Sequence, residues 1–150
     1  MVRKQGAQMI RTFAVVALLL APICAFAQTD DRAAVRQAAL DYLNGVYESK
    51  PELIERSVAR DLTKHGFMLQ KDGTYRRGRM TYEELLTVAR EWNADRKRDL
   101  SIKEVTVGEV FDQTATAMVR ANWGLDFMQL AKVDGRWQIM NIVWQTHPLK

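Results

Sequence analysis

Cysteine is almost missing from this 150-residue chain, with Cys24 its single example. One thiol excludes an intrachain disulfide and a multi-cysteine metal cluster. Histidine is nearly as scarce, since only His65 and His147 occur and neither sits in a His-Glu-x-x-His motif. No metal site and no cofactor is therefore expected. The chain also lacks a Gly-x-Ser-x-Gly elbow, a Walker loop and a dinucleotide glycine loop. Serine or cysteine hydrolysis and nucleotide-driven chemistry lose their usual machinery. Only 3 prolines and 8 glycines interrupt the chain, and 47% of its residues are hydrophobic. That balance excludes a disordered chain, and the length suits a single domain.

A membrane-spanning run is missing too. The apolar stretch Phe13–Ile23 is shorter than the roughly 20 residues a bilayer needs, and Pro22 interrupts it. It reads instead as the centre of a secretory signal. Arg3, Lys4 and Arg11 precede it, and Ala25-Phe26-Ala27 follows as a small-x-small cleavage pattern. Cleavage after Ala27 would leave Gln28 to Lys150 as a periplasmic or secreted domain without membrane attachment; an uncleaved anchor is the alternative. The net charge of +4 largely belongs to this leader, which carries three basic residues and no acidic one. Without it, 19 basic residues face 18 acidic ones, a net of +1. Nucleic acid is not an expected partner.

What is present reads as helices first and strands afterwards. Val35, Ala38, Ala39, Tyr42, Leu43, Val46 and Tyr47 recur at helical spacing and predict a long first helix capped by Thr29 or Asp30. Ser49-Lys50-Pro51-Glu52 predicts a capping box opening a second helix that buries Leu53, Ile54, Val58 and Leu62. Phe67–Leu69 and Thr74–Arg76 flank Asp72-Gly73, a hairpin signal. Thr81-Tyr82-Glu83-Glu84 is a further capping box, for a third helix burying Tyr82, Leu85, Leu86, Ala89 and Trp92. Alternation then predicts strands Leu100–Phe111, Thr114–Ala121, Leu125–Val133 and Arg136–Thr146. The expected class is α+β: three helices packed on a curved antiparallel four-stranded meander, plus the short hairpin.

Turn lengths set strand faces. A three-residue loop Asn122–Gly124 would put Arg120 opposite Asp126, and a type I′ turn at Asp134-Gly135 would pair Asp126 with Val143. One face then carries Ala115, Ala117, Val119, Leu125, Phe127, Met140, Ile142 and Trp144. The other carries Met118, Arg120, Asp126, Met128, Leu130, Trp137, Ile139, Asn141 and Val143. Helices cover only one face of such a sheet, so two apolar faces predict a homodimer packed sheet to sheet.

Helices followed by a bent meander resemble the nuclear transport factor 2-like superfamily, also called the SnoaL-like or cystatin-like cone. Within it the chain resembles the putative lumazine-binding family, through Asp126-Phe127-Met128-Gln129-Leu130, Lys132-Val133-Asp134-Gly135-Arg136-Trp137-Gln138-Ile139, Asn141 and Val143-Trp144. The helical part contributes Asp41-Tyr42-Leu43-Asn44-Gly45 and Met80-Thr81-Tyr82-Glu83-Glu84-Leu85. The resemblance implies a cone-shaped cavity, usually in a dimer. It selects no chemistry, since one fold hosts isomerases, dehydratases, cyclases and binders.

Arg120, Asp126 and Asn141, placed on one face among Met118, Met128, Ile139 and Val143, form the sharpest polar constellation. Paired with Arg120, Asp126 would stay ionised as a cross-strand ion pair; unpaired in an apolar cone it would suit proton transfer. His65, after the second helix, is the other proton-transfer candidate, or else an exposed helix-end residue. Tyr42 and Tyr47 either aim hydroxyls into a cavity or are core. Trp92, Trp137 and Trp144 would wall a cavity for a flat ligand or simply fill the interior. Trp123 belongs at a hairpin tip. Arg76-Arg77-Gly78-Arg79 either binds an anion or deters strand pairing at an edge. The expected function is binding of a small apolar or aromatic molecule. A cofactor-free isomerase or dehydratase using Asp126 or His65 is the alternative, and a ligand-free dimeric interaction module is a third.

Overall fold

The computed structural model describes residues 22–147, with side chains from Asp30 onward; residues 1–21 of the expected leader and residues 148–150 lie outside the described residues. No described helix is long and apolar enough to cross a membrane. The elements run α1 (Pro22–Tyr47), α2 (Pro51–Ser57), β1 (Val58–Leu69), β2 (Tyr75–Met80), α3 (Tyr82–Glu91), β3 (Lys103–Val110), β4 (Thr114–Ala121), β5 (Gly124–Val133) and β6 (Arg136–Thr146).

The seven apolar stripe residues of α1 are all buried, each worth about 1–3 kcal/mol as far as its size allows. Thr29 and Asp30 do not open this helix, which already begins at Pro22. The Ser49 box does not form either. Ser49 takes φ 52°, ending α1, and α2 starts at Pro51 with no side-chain cap. Only about two turns of helix follow before the chain extends. Val58 and Leu62 are buried as expected but in β1, and residues four apart share a face in a strand as they do in a helix, so their spacing imitates one.

The hairpin does not stand apart from the meander. β1 pairs in parallel with β6, giving one curved six-stranded sheet in the order β2-β1-β6-β5-β4-β3. This corrects the expected four-stranded meander. A parallel neighbour for β6 requires a long crossover, and the chain between β1 and β6 supplies it. The helices lie on the inner face, with α1 across β3, β4 and β6 and α3 against α2 and β1. At the free edge of β3, Arg36 donates to the Val105 carbonyl at 2.7 Å, while Arg32 donates to those of Val107 and Gly108 at 2.8 and 2.9 Å.

Two features re-sort the sheet faces. The β4–β5 turn has two residues, not three: Ala121 pairs with Gly124, and Val119 with Asp126. Gly124 is the first residue of β5, with φ 146°, and a Cβ there would sit 1.9 Å from the Gln145 carbonyl oxygen. Its glycine serves close approach to β6 rather than the loop. A bulge at Met140 then moves the β5–β6 register, so Leu130 pairs with Ile139 but Gln129 with Asn141. Ala115, Ala117, Val119, Ala121, Asp126, Met128, Leu130, Trp137, Ile139 and Ile142 are all buried toward the helices. The opposite face is mixed, with Phe127 and Val143 exposed among Thr116, Met118, Gln129 and Asn141.

Candidate functional site

A cavity of about 320 Å³ opens between α1, α3 and the β1–β6 side of the sheet. Tyr42 and Val46 reach it from α1, Leu85, Val88 and Trp92 from α3 and its end, and Lys64 and Met68 from β1. Met80, Trp123, Trp144 and Thr146 complete the wall. The capping box at Thr81 and Glu84 forms as the sequence predicts, fixing the start of α3 and so the positions of Leu85 and Val88. Trp144 lies flat against Gly66, its parallel-strand partner, where an added Cβ would stand 2.2 Å from the indole. The absent side chain leaves the room that ring occupies.

Lys64, Tyr42 and Trp123 of the cavity wall belong to one buried network whose carboxylate, Asp126, lies behind the wall. Lys64 Nζ donates to the Tyr42 hydroxyl oxygen at 2.5 Å and to Asp126 Oδ1 at 2.9 Å. Tyr42 donates in turn to Asp126 Oδ1 at 3.3 Å, and Trp123 Nε1 donates to Oδ2 at 2.6 Å. Asp126 is 0% exposed and Lys64 5%. Such a pair recovers its desolvation cost only when further hydrogen bonds satisfy both ions, as Tyr42 and Trp123 do here. Burial, followed by the neighbouring Asp126 charge, pushes the Tyr42 hydroxyl well above its usual pKa. It therefore stays protonated and can donate. Lys64 also lies over the Tyr42 and Trp144 rings, 5.0 and 5.7 Å from their centroids.

Aromatic contacts brace the remaining wall. Tyr47 stacks on Trp92 at 5.5 Å, and Trp123 meets Trp92, Tyr47 and Tyr42 edge-on at 5.3, 5.2 and 6.3 Å. The rings are held in fixed orientations by the Tyr47 hydroxyl, which donates to the Ile102 carbonyl at 2.6 Å and accepts from the Asn122 N–H at 2.8 Å.

The family described as Putative lumazine-binding matches residues 30–145. The chain belongs to that family. A search of curated proteins finds no match. Among solved structures it is similar to an NTF2-like protein of unknown function from Shewanella baltica OS155, at 16% identity and TM-score 0.60, covering 81% of this chain and 97% of that one. An NTF2-like protein of unknown function from Methylobacillus flagellatus KT is 22% identical, with TM-score 0.56 over 79% of this chain and 93% of that one. An NTF2-like protein with a cystatin-like fold from Novosphingobium aromaticivorans is 12% identical, with TM-score 0.56 over 82% and 86%. At such identities the likeness carries the fold, and the expected cone is the fold found.

In this lumazine-binding-family cone the sequence-derived site residues disperse. Asp126 is inward, but its partner is Lys64; Arg120 lies instead near Glu104, at 3.4 Å on the outer side. The one-residue shorter turn is the cause. Met118 and Asn141 share that outer side, where Asn141 donates to Gln129 at 3.1 Å. Met128 is buried in the core away from the cavity wall. Trp137 also lies elsewhere, donating with Lys132 to Asp31 Oδ1 at 2.9 and 2.6 Å. His65 is within β1, beside Val143 and Arg79, not after a helix. Tyr42, Trp92 and Trp144 do line the cavity, while Tyr47 braces it from behind. Lys64 was not singled out. Its signal was alternation: Leu62, Lys64 and Gly66 face inward together once the segment is a strand. Among the described residues, no group of three or more His, Cys, Asp or Glu side chains converges as a metal site.

Proposed function

We propose that this domain binds a small, flat, largely apolar molecule in the cavity walled by Trp92, Trp123 and Trp144. The carrying observation is an apolar, aromatic hollow whose one carboxylate is already engaged by Lys64, Tyr42 and Trp123. Asp126 does not itself line the cavity; Lys64, Tyr42 and Trp123, which do, engage both of its oxygens. That arrangement supports binding over proton transfer by Asp126, because a general base needs a lone pair within reach of its substrate. His65 lines a different cavity, of about 370 Å³ beside Arg79 and Tyr82, and not the aromatic hollow.

The cavity tryptophans supply the readout. The family description makes lumazine the first flat heteroaromatic to titrate, with naphthalene derivatives beside it. Saturable quenching of tryptophan emission is expected, and Val88→Trp, which fills the hollow, should abolish it. If no planar probe quenches saturably, the binding proposal is wrong.

Two further parts of the proposal concern the whole protein. Export with cleavage after Ala27 predicts a mature mass beginning at Gln28. Pairing of two copies through the outer sheet face is supported by exposed Phe127 and Val143 beside Met118 and Met140.

A further inference from the structure

The hydrogen-bonding inventory of the cavity wall restricts the ligand further, given the binding reading above. Asp126 Oδ1 accepts from Lys64 and Tyr42, and Oδ2 accepts from Trp123. The Tyr42 hydroxyl gives its one hydrogen to Asp126 and accepts from Lys64. The Trp123 N–H is spent on Asp126. An ammonium has three hydrogens, and among the described residues Lys64 uses two. Thr146 Oγ1 accepts the Leu69 N–H at 2.8 Å and, among the described residues, gives its own hydrogen to none. Trp144 Nε1–H, among the described residues, has no acceptor either. The uncommitted polar capacity on this wall is thus donors, and Lys64 is the charged one among them.

Charge narrows the choice of acceptor. Lys64 and Asp126 neutralise each other 2.9 Å apart, so the wall and the carboxylate behind it carry together no net charge to balance a buried anion. A carboxylate entering the apolar hollow would meet the Lys64 cation already compensated and the Asp126 charge close behind it. A neutral oxygen carries no such desolvation cost and still takes a hydrogen bond from a charged donor, the stronger kind. We infer that the ligand is a flat molecule carrying an uncharged carbonyl oxygen, as in an aryl ketone or a lactam, which accepts from Lys64.

Three probes of one size test this on the full mature domain. They are 2-acetylnaphthalene, 2-isopropenylnaphthalene (the same outline with the carbonyl oxygen replaced by CH₂) and 2-naphthoate. Dissociation constants would come from calorimetry and tryptophan quenching. The ketone should bind about ten- to a hundredfold tighter than its hydrocarbon isostere, the range for hydrogen bonds to charged groups. It should also bind more tightly than the naphthoate. Lys64→Met should remove the ketone's preference, and Lys64→Met/Asp126→Asn provides the same readout without leaving a carboxylate unpaired. The wild-type ratios decide even where neither variant folds. Equal affinity for ketone and hydrocarbon overturns the inference while the binding reading stands. Tightest binding of the naphthoate overturns it in favour of an anion site. Failure of all three probes to bind removes the binding reading and the carbonyl inference with it.

Discussion

Lys64 and Asp126 are more tightly interdependent than their separation of 62 positions suggests, because each removes the other's uncompensated charge from an apolar interior. Asp126→Ala would leave a buried ammonium without a counter-charge and should cost about 3–5 kcal/mol in urea unfolding. The double variant Lys64→Met/Asp126→Asn should lose clearly less than the single variants Lys64→Met and Asp126→Asn lose when their losses are combined, the sign of direct coupling. Gly66→Ala is the second expectation at this scale. Its methyl would displace the Trp144 ring, costing about 1–3 kcal/mol and shifting the tryptophan emission spectrum. Neither Lys64 nor Gly66 stands out in the sequence as a site residue, whereas Asp126 and Trp144 do. Val58 and Leu62, four apart in a strand, gave helical spacing, and that spacing hid the alternation placing Lys64 and Gly66 inward.

Among the elements, α3 was the most legible, because its cap, apolar face and end lie within one short stretch. Thr81→Ala should lower stability by about 1 kcal/mol in thermal unfolding and loosen probe binding through Leu85 and Val88. The docking of α1 on the β5–β6 hairpin should show itself in acid. The Lys132 hydrogen bond first, and the Trp137 N–H second, hold the Asp31 carboxyl below its usual range. The folded state thus takes up that proton less readily than the unfolded chain. Stability from Asp31 is complete above the ordinary carboxylate value of about 4 and is lost as pH falls through the lower folded value. Asp31→Asn should therefore be less stable than wild type at neutral pH, with the gap closing below about pH 4 in melting temperatures. Local turn chemistry was legible at Asp134-Gly135, where both φ angles are positive, and misleading at Gly124. A glycine reveals that a side chain is unwelcome, not whether its own backbone or a neighbour's is the reason.

Over the whole molecule, the layers could be read from the sequence but the sheet's membership could not. Helix-then-strand order follows from apolar periodicity, whereas the parallel β1–β6 contact joins residues 78 to 81 positions apart with no local signature. The site straddles that contact, Lys64 coming from one side of it and Trp144 from the other, which is why its polar centre escaped local patterns. The shifted turn and the Met140 bulge also made the outer face less apolar than expected, concentrating its exposed bulk at Phe127 and Val143. If that face joins two copies, Phe127→Glu should turn a dimer into a folded monomer in sedimentation velocity. Unchanged sedimentation with an intact circular dichroism spectrum would remove the sheet-to-sheet pairing.

The arginines of α1 that occupy the β3 carbonyls bear on how this chain behaves in company. An incoming strand from another molecule would have to strip Arg32 and Arg36 from their acceptors before it could zip on. At the opposite rim, β2 presents Arg76, Arg77 and Arg79, and an identical copy arriving there would meet its own charge. Both rims thus resist runaway polymerisation into fibrils, leaving the broad outer surface as the place where two copies can meet and stop.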